Sequence, residues 1–575
     1  MSTDTIRSGA AQTDPAITVQ EYPFDLVARA EMAIRACTNL VNPERAGQPY
    51  SFAELHTDPP IAMHSPWDYS DVSGTLLDAL TLARIMTGIH ADDCDAAFSR
   101  ILAKCQREDG LLTLPSDPWT HTTPIVEMEW SQRGALMAWT TRMVAVDDAD
   151  AQQRALRLVH GLHKRAVWEG DTCWFPSSYL PNSGWASRVP PSGPIGELLI
   201  GAQVVFPLAR FGSITGSEEA LKLANGLIRY IKERSGAFAD DGSMTSATAS
   251  YLHSTTCFIL GVLKYGIVAD RPDYVDWSLA AYRSACEWGT DFGFFPHGMR
   301  GPERWQGDVC ALQDMIEIAL LLGLHREPAC FADAERYGRN QLLETQLLNF
   351  DWVNQNLDVN FCTDIWCSNH PQEAFTTHDV CGRALGGFAG WHTHNDGIDA
   401  SNPRLMQRCT GAGTRAIYDL WRYSVTRPEG AVMVHLHFSR DTRWATVTSH
   451  IPQEGRLEVM MKSRGVLAVR VPPGVTNPEV TVNYSHPRQE TVRNGYAWIE
   501  ALQQGDLVNI TWPLNDRAMV YNMGGVQFSG RWRGDTMLTV SPKGQIAPLY
   551  RRDPLAMPPV QPHILPHHTR EVDSI

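Results

Sequence analysis

The chain has 575 residues, 43% of them hydrophobic and 20% charged, so roughly two or three domains are expected. Its 49 Lys and Arg against 64 Asp and Glu give a formal charge of −15. Without a basic run, this charge argues against nucleic acid and anionic membranes as partners. No apolar run approaches the ~18 residues of a membrane-spanning helix, and the N-terminal residues lack a signal peptide's apolar stretch. We therefore expect a cytoplasmic protein whose twelve cysteines are thiols or metal ligands rather than disulfides.

The first three quarters of the chain have a helical pattern. Residues 1–21 are expected to be disordered, and in 22–424 apolar residues recur every three or four positions between short loops. Successive helical hairpins predict a mainly α fold, an (α/α)6 barrel, with a pocket among the longer loops at one end. The predicted helices are 24–40, 74–89, 130–146, 151–166, 195–211, 217–232, 251–266, 273–288, 308–323, 331–348 and 411–424.

Beyond these helices the apolar period changes to two. In 431–438 (AVMVHLHF) every second residue is a large apolar one, a pattern typical of a half-buried strand. Residues 425–551 are therefore predicted to form an antiparallel β-sandwich, whose exposed edge would support a homodimer. Residues 552–575 are predicted to be a loose tail. On the predicted strand, His435 and His437 are interpreted as solvent-facing, with metal chelation as the alternative.

A glycine-rich helix start draws attention to Cys409. The segment Thr410–Thr414 (TGAGT) follows it, and a cysteine at a helix N-terminus is favoured as a thiolate. The alternative is a buried structural cysteine at a tight turn. A second cysteine, Cys310, follows Asp308, which is well suited to cap the helix that begins there.

Several other clusters suit a sugar site, because Trp faces stack on sugar rings and carboxylates accept hydrogen bonds from hydroxyls. Structural alternatives remain open for each: a satisfied core histidine, a turn aspartate or a helix cap. Two facing carboxylates, one of them protonated, would serve acid–base cleavage of a glycoside. The first cluster is Trp67 and Asp68, and the second is Glu127, Glu129, Trp130 and Arg133. The third is Glu303, Arg304 and Trp305, and the fourth is His392, His394, Asp396 and Asp399.

From about residue 60 to 550 the chain resembles glycoside hydrolase family 127, the β-L-arabinofuranosidase-like proteins. The resemblance implies a helical barrel followed by a sandwich, and a glycoside hydrolase acting on a furanoside or related sugar. It also implies that His253 lines the sugar pocket. The matching segments are Glu129–Trp139, Gly193–Phe211 with Glu218–Ile231, Tyr251–Ser254, Asp308–Cys310 and Met406–Ile417.

In that family one glutamate and three cysteines hold a zinc ion, and one of these cysteines attacks the anomeric carbon. Carried onto this chain, the resemblance implies Zn²⁺ held by Asp308, Cys310 and Cys409, with a water or a histidine as the fourth ligand; the alternative is that no metal binds. The chain departs from the pattern at Arg408, which stands where the attacking cysteine is expected and can neither attack nor bind a metal. The family's general-acid position reads Met299, so the nearest glutamate, Glu303, is the predicted acid or base.

The predicted activity is glycoside hydrolysis. A non-catalytic carbohydrate-binding relative that lost its nucleophile is one alternative. A polysaccharide or uronate lyase, in which Arg408 would neutralise a uronate, is another. The predicted catalytic residues are Glu303 and Cys409, and the predicted substrate contacts are Trp67, Asp68, Glu129, Trp130, His253, His392, His394, Asp396 and Arg408.

Overall fold

The structure is a computed structural model. It describes residues 23–64, 69–113, 129–175, 201–246, 251–353, 375–523, 525–553 and 559–562, together with 199 and 248. The predicted N-terminal arm lies outside the described residues. Within these ranges, no helix is both long enough and apolar enough to cross a membrane.

Paired helices make up the first part of the chain. A 3-10 turn, Ala202–Val204, precedes α6, and a π-helical turn, Gly338–Leu342, extends α11 to Leu343–Thr345. The helices are α1 (Leu26–Asn39), α2 (Tyr69–Thr87), α3 (Asp92–Cys105), α4 (Glu129–Ala145), α5 (Ala149–Arg165), α6 (Val205–Thr215), α7 (Glu218–Arg234), α8 (Leu252–Val268), α9 (Pro272–Cys286), α10 (Val309–His325), α11 (Cys330–Tyr337), α12 (Val380–Ala384) and α13 (Gln407–Ser424).

Six of these helices form a closed inner ring. α2 packs on α4, α4 on α6, α6 on α8, α8 on α10, α10 on α13, and α13 returns to α2. Each outer helix packs on one or two neighbouring inner helices: α3 on α2, α5 on α4, α7 on α6 and α8, α9 on α8 and α10, α11 on α10, and α1 on α13 and α2. The predicted (α/α)6 barrel is thereby confirmed.

The inner and outer helices differ in how much of their surface is buried, as their sequences predict. The inner helices α8 and α10 are buried on nearly every side, as helices that are apolar all round should be. The outer helices α5 and α7 bury one apolar face and keep charged residues on the other. The helix α3 was missed, because Asp92, Asp93 and Asp95 in its first turn resemble a loop although acids favour a helix N-terminus.

Short strands connect the barrel helices. Gly307–Asp308 pairs with Trp391–His392, immediately before α10. The others are Val41–Asn42, Gln48–Pro49, Phe52–Glu54, Ile61–Met63, Val167–Glu169, Thr172–Trp174, Phe375–Thr376 and Arg404–Met406.

Two sheets follow α13 and share one hydrophobic core, to which both contribute alternate residues. The predicted strand-rich C-terminal region is confirmed. Its strands are not all antiparallel, because Val432–Val434 runs parallel to Gly465–Arg470. In spatial order, the strands of the first sheet are Val425–Thr426, Val432–Val434, Gly465–Arg470, Tyr496–Leu502 and Val492–Arg493. Those of the second sheet are Arg440–Asp441, Ala445–Ser449, Arg456–Met461, Leu507–Thr511, Glu479–Val482 and Arg488–Gln489.

A third sheet packs on the barrel itself. Its strands are Asp516–Met523, Val526–Arg533 and Thr536–Ser541. Phe528 and Trp532 from this sheet form one buried cluster with Phe292 and Phe294 of the barrel. Part of the predicted loose tail also packs, since Ser439 Oγ donates a hydrogen bond to the carbonyl of Val560.

The interpretation of His435 and His437 as solvent-facing is wrong. Their side chains face the barrel and are almost completely buried, at 3% and 1% exposure. His435 stacks on Phe331 of α11, with ring centroids 4.3 Å apart. The Nδ1 of His437 lies 3.2 Å from the Glu335 carboxylate on the same helix. Packing between the sheets and α11 therefore determines these side-chain environments.

Candidate active site

The candidate site lies where the inner helices begin. Asp71 is the third residue of α2, and His253 is the second residue of α8. Cys310 is the second residue of α10, and Cys409 is the third residue of α13. Unpaired backbone N–H groups and the helix dipoles give such ends a positive potential. The closed ring brings these four helix starts to one end of the barrel.

Asp308, Cys310 and Cys409 converge at this end. One ligand atom from each lies within 4.8 Å of the others, and all three residues are buried. The two Sγ atoms are 3.8 Å apart. Two sulfurs bound to one tetrahedral Zn²⁺ at about 2.3 Å are separated by about 3.8 Å. The donor types and the sulfur separation thus fit zinc.

Asp308 both caps α10 and faces the cluster. Its Oδ1 accepts the backbone N–H of Cys310 at 2.7 Å, and its Oδ2 lies 3.2 Å from His297 Nδ1. Burial opposes ionisation of Asp308, but the hydrogen bond and charge of His297 outweigh it and hold the carboxyl pKa well below its usual range. An anionic carboxylate is the form that binds a metal.

Cys409 does not become a thiolate through its helix position alone. Its contact with Cys310, together with burial, raises the pKa of the Cys409 thiol well above its usual value. These two effects oppose the influence of the helix dipole, which by itself favours the thiolate. A bound cation reverses this balance, because a coordinating thiol is deprotonated by the metal.

Arg408 lies against the same cluster and is held on three sides. Its Nε is 2.7 Å from an Asp71 carboxylate oxygen. One terminal nitrogen lies 3.1 Å from His253 Nε2, and the other lies 3.8 Å from Cys310 Sγ. Arg408 therefore links α13 to α2, α8 and α10.

His253 is oriented by a buried carboxylate. Its Nδ1 lies 2.8 Å from Asp314 Oδ2, which also accepts the Thr256 hydroxyl at 2.7 Å. Burial lowers the pKa of His253, so the neutral ring donates from Nδ1 to Asp314 and accepts from Arg408 at Nε2. The side chain is 0% exposed. It therefore positions Arg408, and a direct sugar contact is not expected of it.

Glu303 lies on the solvent side of the site. It is exposed, in the 3-10 turn Gly301–Trp305, and the backbone of Gly298 bonds to its carbonyl. Against the effect of burial, the hydrogen bond and charge of Asp308, followed by the charge of Glu303, raise the pKa of His297. The neighbouring Met299 is buried at 4% exposure. An accessible carboxyl thus stands beside the histidine that contacts Asp308.

His392, His394 and Asp396 have structural roles instead of the predicted sugar contacts. His392 is 0% exposed, and its ring fills the space left by Gly307, which has no side chain. His394 stacks on Phe528 with ring centroids 4.1 Å apart. Asp396 accepts backbone N–H groups of Gln545, Ile546 and Ala547. Packing within the barrel thus occupies His392, and packing with the C-terminal region occupies His394 and Asp396.

The remaining predicted contacts are only partly described. Trp67 and Asp68 lie outside the described residues. Glu129 and Trp130 begin α4, but their side chains are not among those described. Their predicted contacts with sugar stay predictions.

A buried layer of charges closes the barrel below the site. Arg415, two helical turns beyond Arg408, contacts Asp78 at 2.8 Å and Glu317 at 3.2 Å. Burial raises the pKa of the neighbouring Asp419 to about 8. This charged layer lies on the side of the cluster away from the helix starts.

Sequence reasoning did not assign roles to Asp314 and His297. Asp314 and Glu317 are acidic residues within a helix that is otherwise almost wholly apolar and buried. Since buried charges need partners, this contrast was a usable signal. His297 carries no comparable local pattern, and only its contact with Asp308 reveals it.

The fold is similar to those of solved glycoside hydrolases built on a helical barrel. A family 127 β-arabinofuranosidase has a TM-score of 0.57 at 12% identity, over 91% of this chain and 80% of that one. A family 127 β-L-arabinofuranosidase from Geobacillus stearothermophilus T6 has a TM-score of 0.54 at 13% identity, over 92% and 83%. A structure described as a glycoside hydrolase has a TM-score of 0.55 at 12% identity, over 87% of this chain and 84% of that one.

These likenesses confirm the sequence resemblance at the level of fold. No protein-family model matches the chain, and no curated protein matches it. Because a fold hosts many activities, function must be argued from the site.

Proposed function

We propose that this protein is a glycoside hydrolase acting on a furanoside or related sugar, in a pocket at the barrel end where the inner helices begin. The observation that carries the proposal is the convergence of Asp308, Cys310 and Cys409 at that end. The fold shared with β-arabinofuranosidases supports it.

We propose Zn²⁺ as the ion of this cluster. Thiolate sulfur and carboxylate oxygen are ligands that zinc accepts, and catalytic zinc sites commonly have three protein ligands. When bound, the ion keeps both sulfurs deprotonated at neutral pH. His297, on the second oxygen of Asp308, orients that carboxylate in the manner of outer-shell partners in metal sites.

Two residues carry the proposed chemistry. The Cys409 sulfur attacks the anomeric carbon and forms a carbon–sulfur bond as the bond to the leaving oxygen breaks. Glu303 gives its proton to that oxygen, and then takes a proton from the water that displaces the sulfur. Its exposed position beside His297 suits a group that exchanges protons with solvent.

A sugar-binding protein without turnover is the second candidate. Arg408 favours it, because this side chain occupies the place of the family's attacking cysteine and is tied to Asp71 and His253. Such a protein would bind sugar at the same barrel end.

Metal analysis of the purified protein tests the cluster. We expect about one zinc per chain, and its loss in Cys409→Ala. Cys257→Ala is the matched control, since Cys257 is also a buried thiol near the start of an inner helix but bonds to the Gln203 carbonyl. A wild-type protein that contains no zinc, and whose Cys310 and Cys409 are both alkylated, would contradict the metal site.

Turnover of a panel of nitrophenyl glycosides tests the activity. We expect Glu303→Gln to lower kcat by about 10²-fold or more, the usual contribution of a general acid, and Cys409→Ala to abolish turnover. Turnover that survives both substitutions would place the chemistry elsewhere. Sugar binding without turnover of any glycoside would favour the second candidate.

A further inference from the structure

Four short backbone segments form one continuous wall at the candidate site. Gly307–Asp308 pairs with Trp391–His392 on one side, and its first residue is bridged to Pro296 on the other. Gly298, two residues beyond Pro296, is bridged to Tyr251, which directly precedes α8. The wall therefore connects the start of α8 with the start of α10.

The pairing determines which side chains share the site face of this wall. Paired residues of neighbouring strands project on the same side, and successive residues alternate. Trp391 therefore lies on the same face as Asp308, its pairing partner. His297 follows Pro296 on the bridged segment and so faces the same way, with its Nδ1 3.2 Å from Asp308 Oδ2. The opposite face carries His392, which is completely buried.

Three aromatic rings form a row on the site face. The ring centroids of Tyr251 and His297 are 4.7 Å apart, and those of His297 and Trp391 are 5.7 Å apart. All three residues are only partly buried. The row therefore provides accessible aromatic surface directly beside Asp308, one of the three proposed zinc ligands.

Glu303 packs against the same wall. A Cβ on Gly298 would lie 2.5 Å from Glu303 Oε2, so the carboxylate rests on the backbone between His297 and Tyr251. In the proposed reaction the Cys409 sulfur attacks the anomeric carbon, and Glu303 gives its proton to the departing oxygen. Because the leaving group departs on the side away from the attacking atom, it lies towards Glu303 and the aromatic row.

We propose that the row of Tyr251, His297 and Trp391 binds the group attached to the cleaved sugar, and that this group is a second sugar ring. The inference rests on the proposed hydrolase and names its substrate class, an oligosaccharide rather than a simple alkyl glycoside. The apolar C–H face of a sugar ring packs against an aromatic ring and removes both surfaces from water. A methyl group is too small to cover this row.

Calorimetric titration of the purified Glu303→Gln protein tests the substrate class, because slow turnover leaves the ligand intact. Each sugar of the nitrophenyl panel is compared as its methyl and its p-nitrophenyl glycoside, and the sugar that binds best also as its disaccharide. We expect the ring-bearing glycosides to bind about 5-fold or more tightly than the methyl glycosides, from the apolar surface that the second ring buries. A disaccharide that binds no more tightly than the methyl glycoside, or no binding of any glycoside, would overturn the proposal.

Trp391→Leu tests the aromatic row itself. It should remove most of the preference for ring-bearing glycosides and leave the affinity for the methyl glycoside unchanged. Trp391→Phe, which retains an aromatic face, should keep part of the preference. Trp498→Leu is the matched control and should keep all of it, since Trp498 is also a partly buried tryptophan but lies in the strand Tyr496–Leu502.

The melting temperature shows whether Trp391→Leu folds. A folded Trp391→Leu protein with the full preference would overturn the assignment of the row. If this variant does not fold, Tyr251→Leu takes its place, and a folded Tyr251→Leu protein that keeps the full preference would be equally decisive against the row.

The outcome separates this inference from the proposed function. Turnover of methyl and nitrophenyl glycosides with the same KM, unaffected by Trp391→Leu, would reject the inference and keep the hydrolase. Tighter binding of ring-bearing glycosides that depends on Trp391, without turnover of any glycoside, would reject the hydrolase and keep the row as a sugar-binding surface.

Discussion

At the scale of single residues, Arg408 is a cation that links the starts of four inner helices. Its ion pair with Asp71 is mostly buried, with side-chain exposures of 13% and 3%. Breaking a buried pair by removing one partner is strongly destabilising, because the other charge is left uncompensated. Arg408 thus contributes to the fold as well as to the site.

We expect Arg408→Leu to lower the free energy of unfolding by about 3 kcal/mol, through the unpaired Asp71 carboxylate. Urea unfolding followed by circular dichroism measures this change. The double variant Arg408→Leu, Asp71→Leu should regain much of the loss. If the double variant were as unstable as the sum of two independent losses, the ion pair would not be the cause.

At the scale of elements, the contact between α2 and α4 positions one side of the site. A Cβ on Gly74 would lie 2.5 Å from the backbone carbonyl carbon of Gly134, closer than real Cβ atoms approach. The two helices can therefore touch only because this glycine has no side chain. Asp71 lies about one turn before Gly74, and Arg133 directly precedes Gly134.

We expect Gly74→Ala to force α2 and α4 apart and to destabilise the protein by about 1–3 kcal/mol, as overpacking does. The better helix propensity of alanine offsets part of this cost. Gly201→Ala is the control, since its Cβ would meet only an ordinary contact at 3.6 Å. Equal melting temperatures for the two variants would contradict the close packing.

At the scale of the whole molecule, buried neutral histidines couple stability to pH. Burial lowers the pKa of His64 and of His435 to about 3. Both rings are engaged through both nitrogens: His64 with Pro49 and Asn42, and His435 with Thr426 and Tyr496. Protonation would disrupt these contacts.

The unfolded chain takes up protons at these histidines below about pH 6.5, whereas the folded chain does so only near pH 3. The contribution of these groups to the free energy of unfolding is therefore fully present above about pH 6.5. It falls as the pH is lowered from 6.5 towards 3, by up to about 1.4 kcal/mol per pH unit for each group. Urea midpoints between pH 7.5 and 5 measure the slope, which His435→Gln should reduce. A slope unchanged in His435→Gln would contradict its buried neutral state.

The sequence alone determined the local features. An apolar period near 3.6 residues indicates the helices, and a period of 2 indicates the strands. Each period is visible locally because it relates residues only a few positions apart in the chain. The cap at Asp308 and the helix start at Cys409 follow from the same short-range chemistry. The Asp-rich start of α3 concealed its helix, since its charges suit both a loop and a helix N-terminus.

Only the tertiary structure decided which helix starts meet. Cys310 and Cys409 are 99 residues apart, and Arg408 and His253 are 155 apart. No local pattern specifies such contacts, because they depend on closure of the helical ring. For the same reason the faces of His392 and His437 were misjudged, since the elements that cover them come from distant parts of the chain.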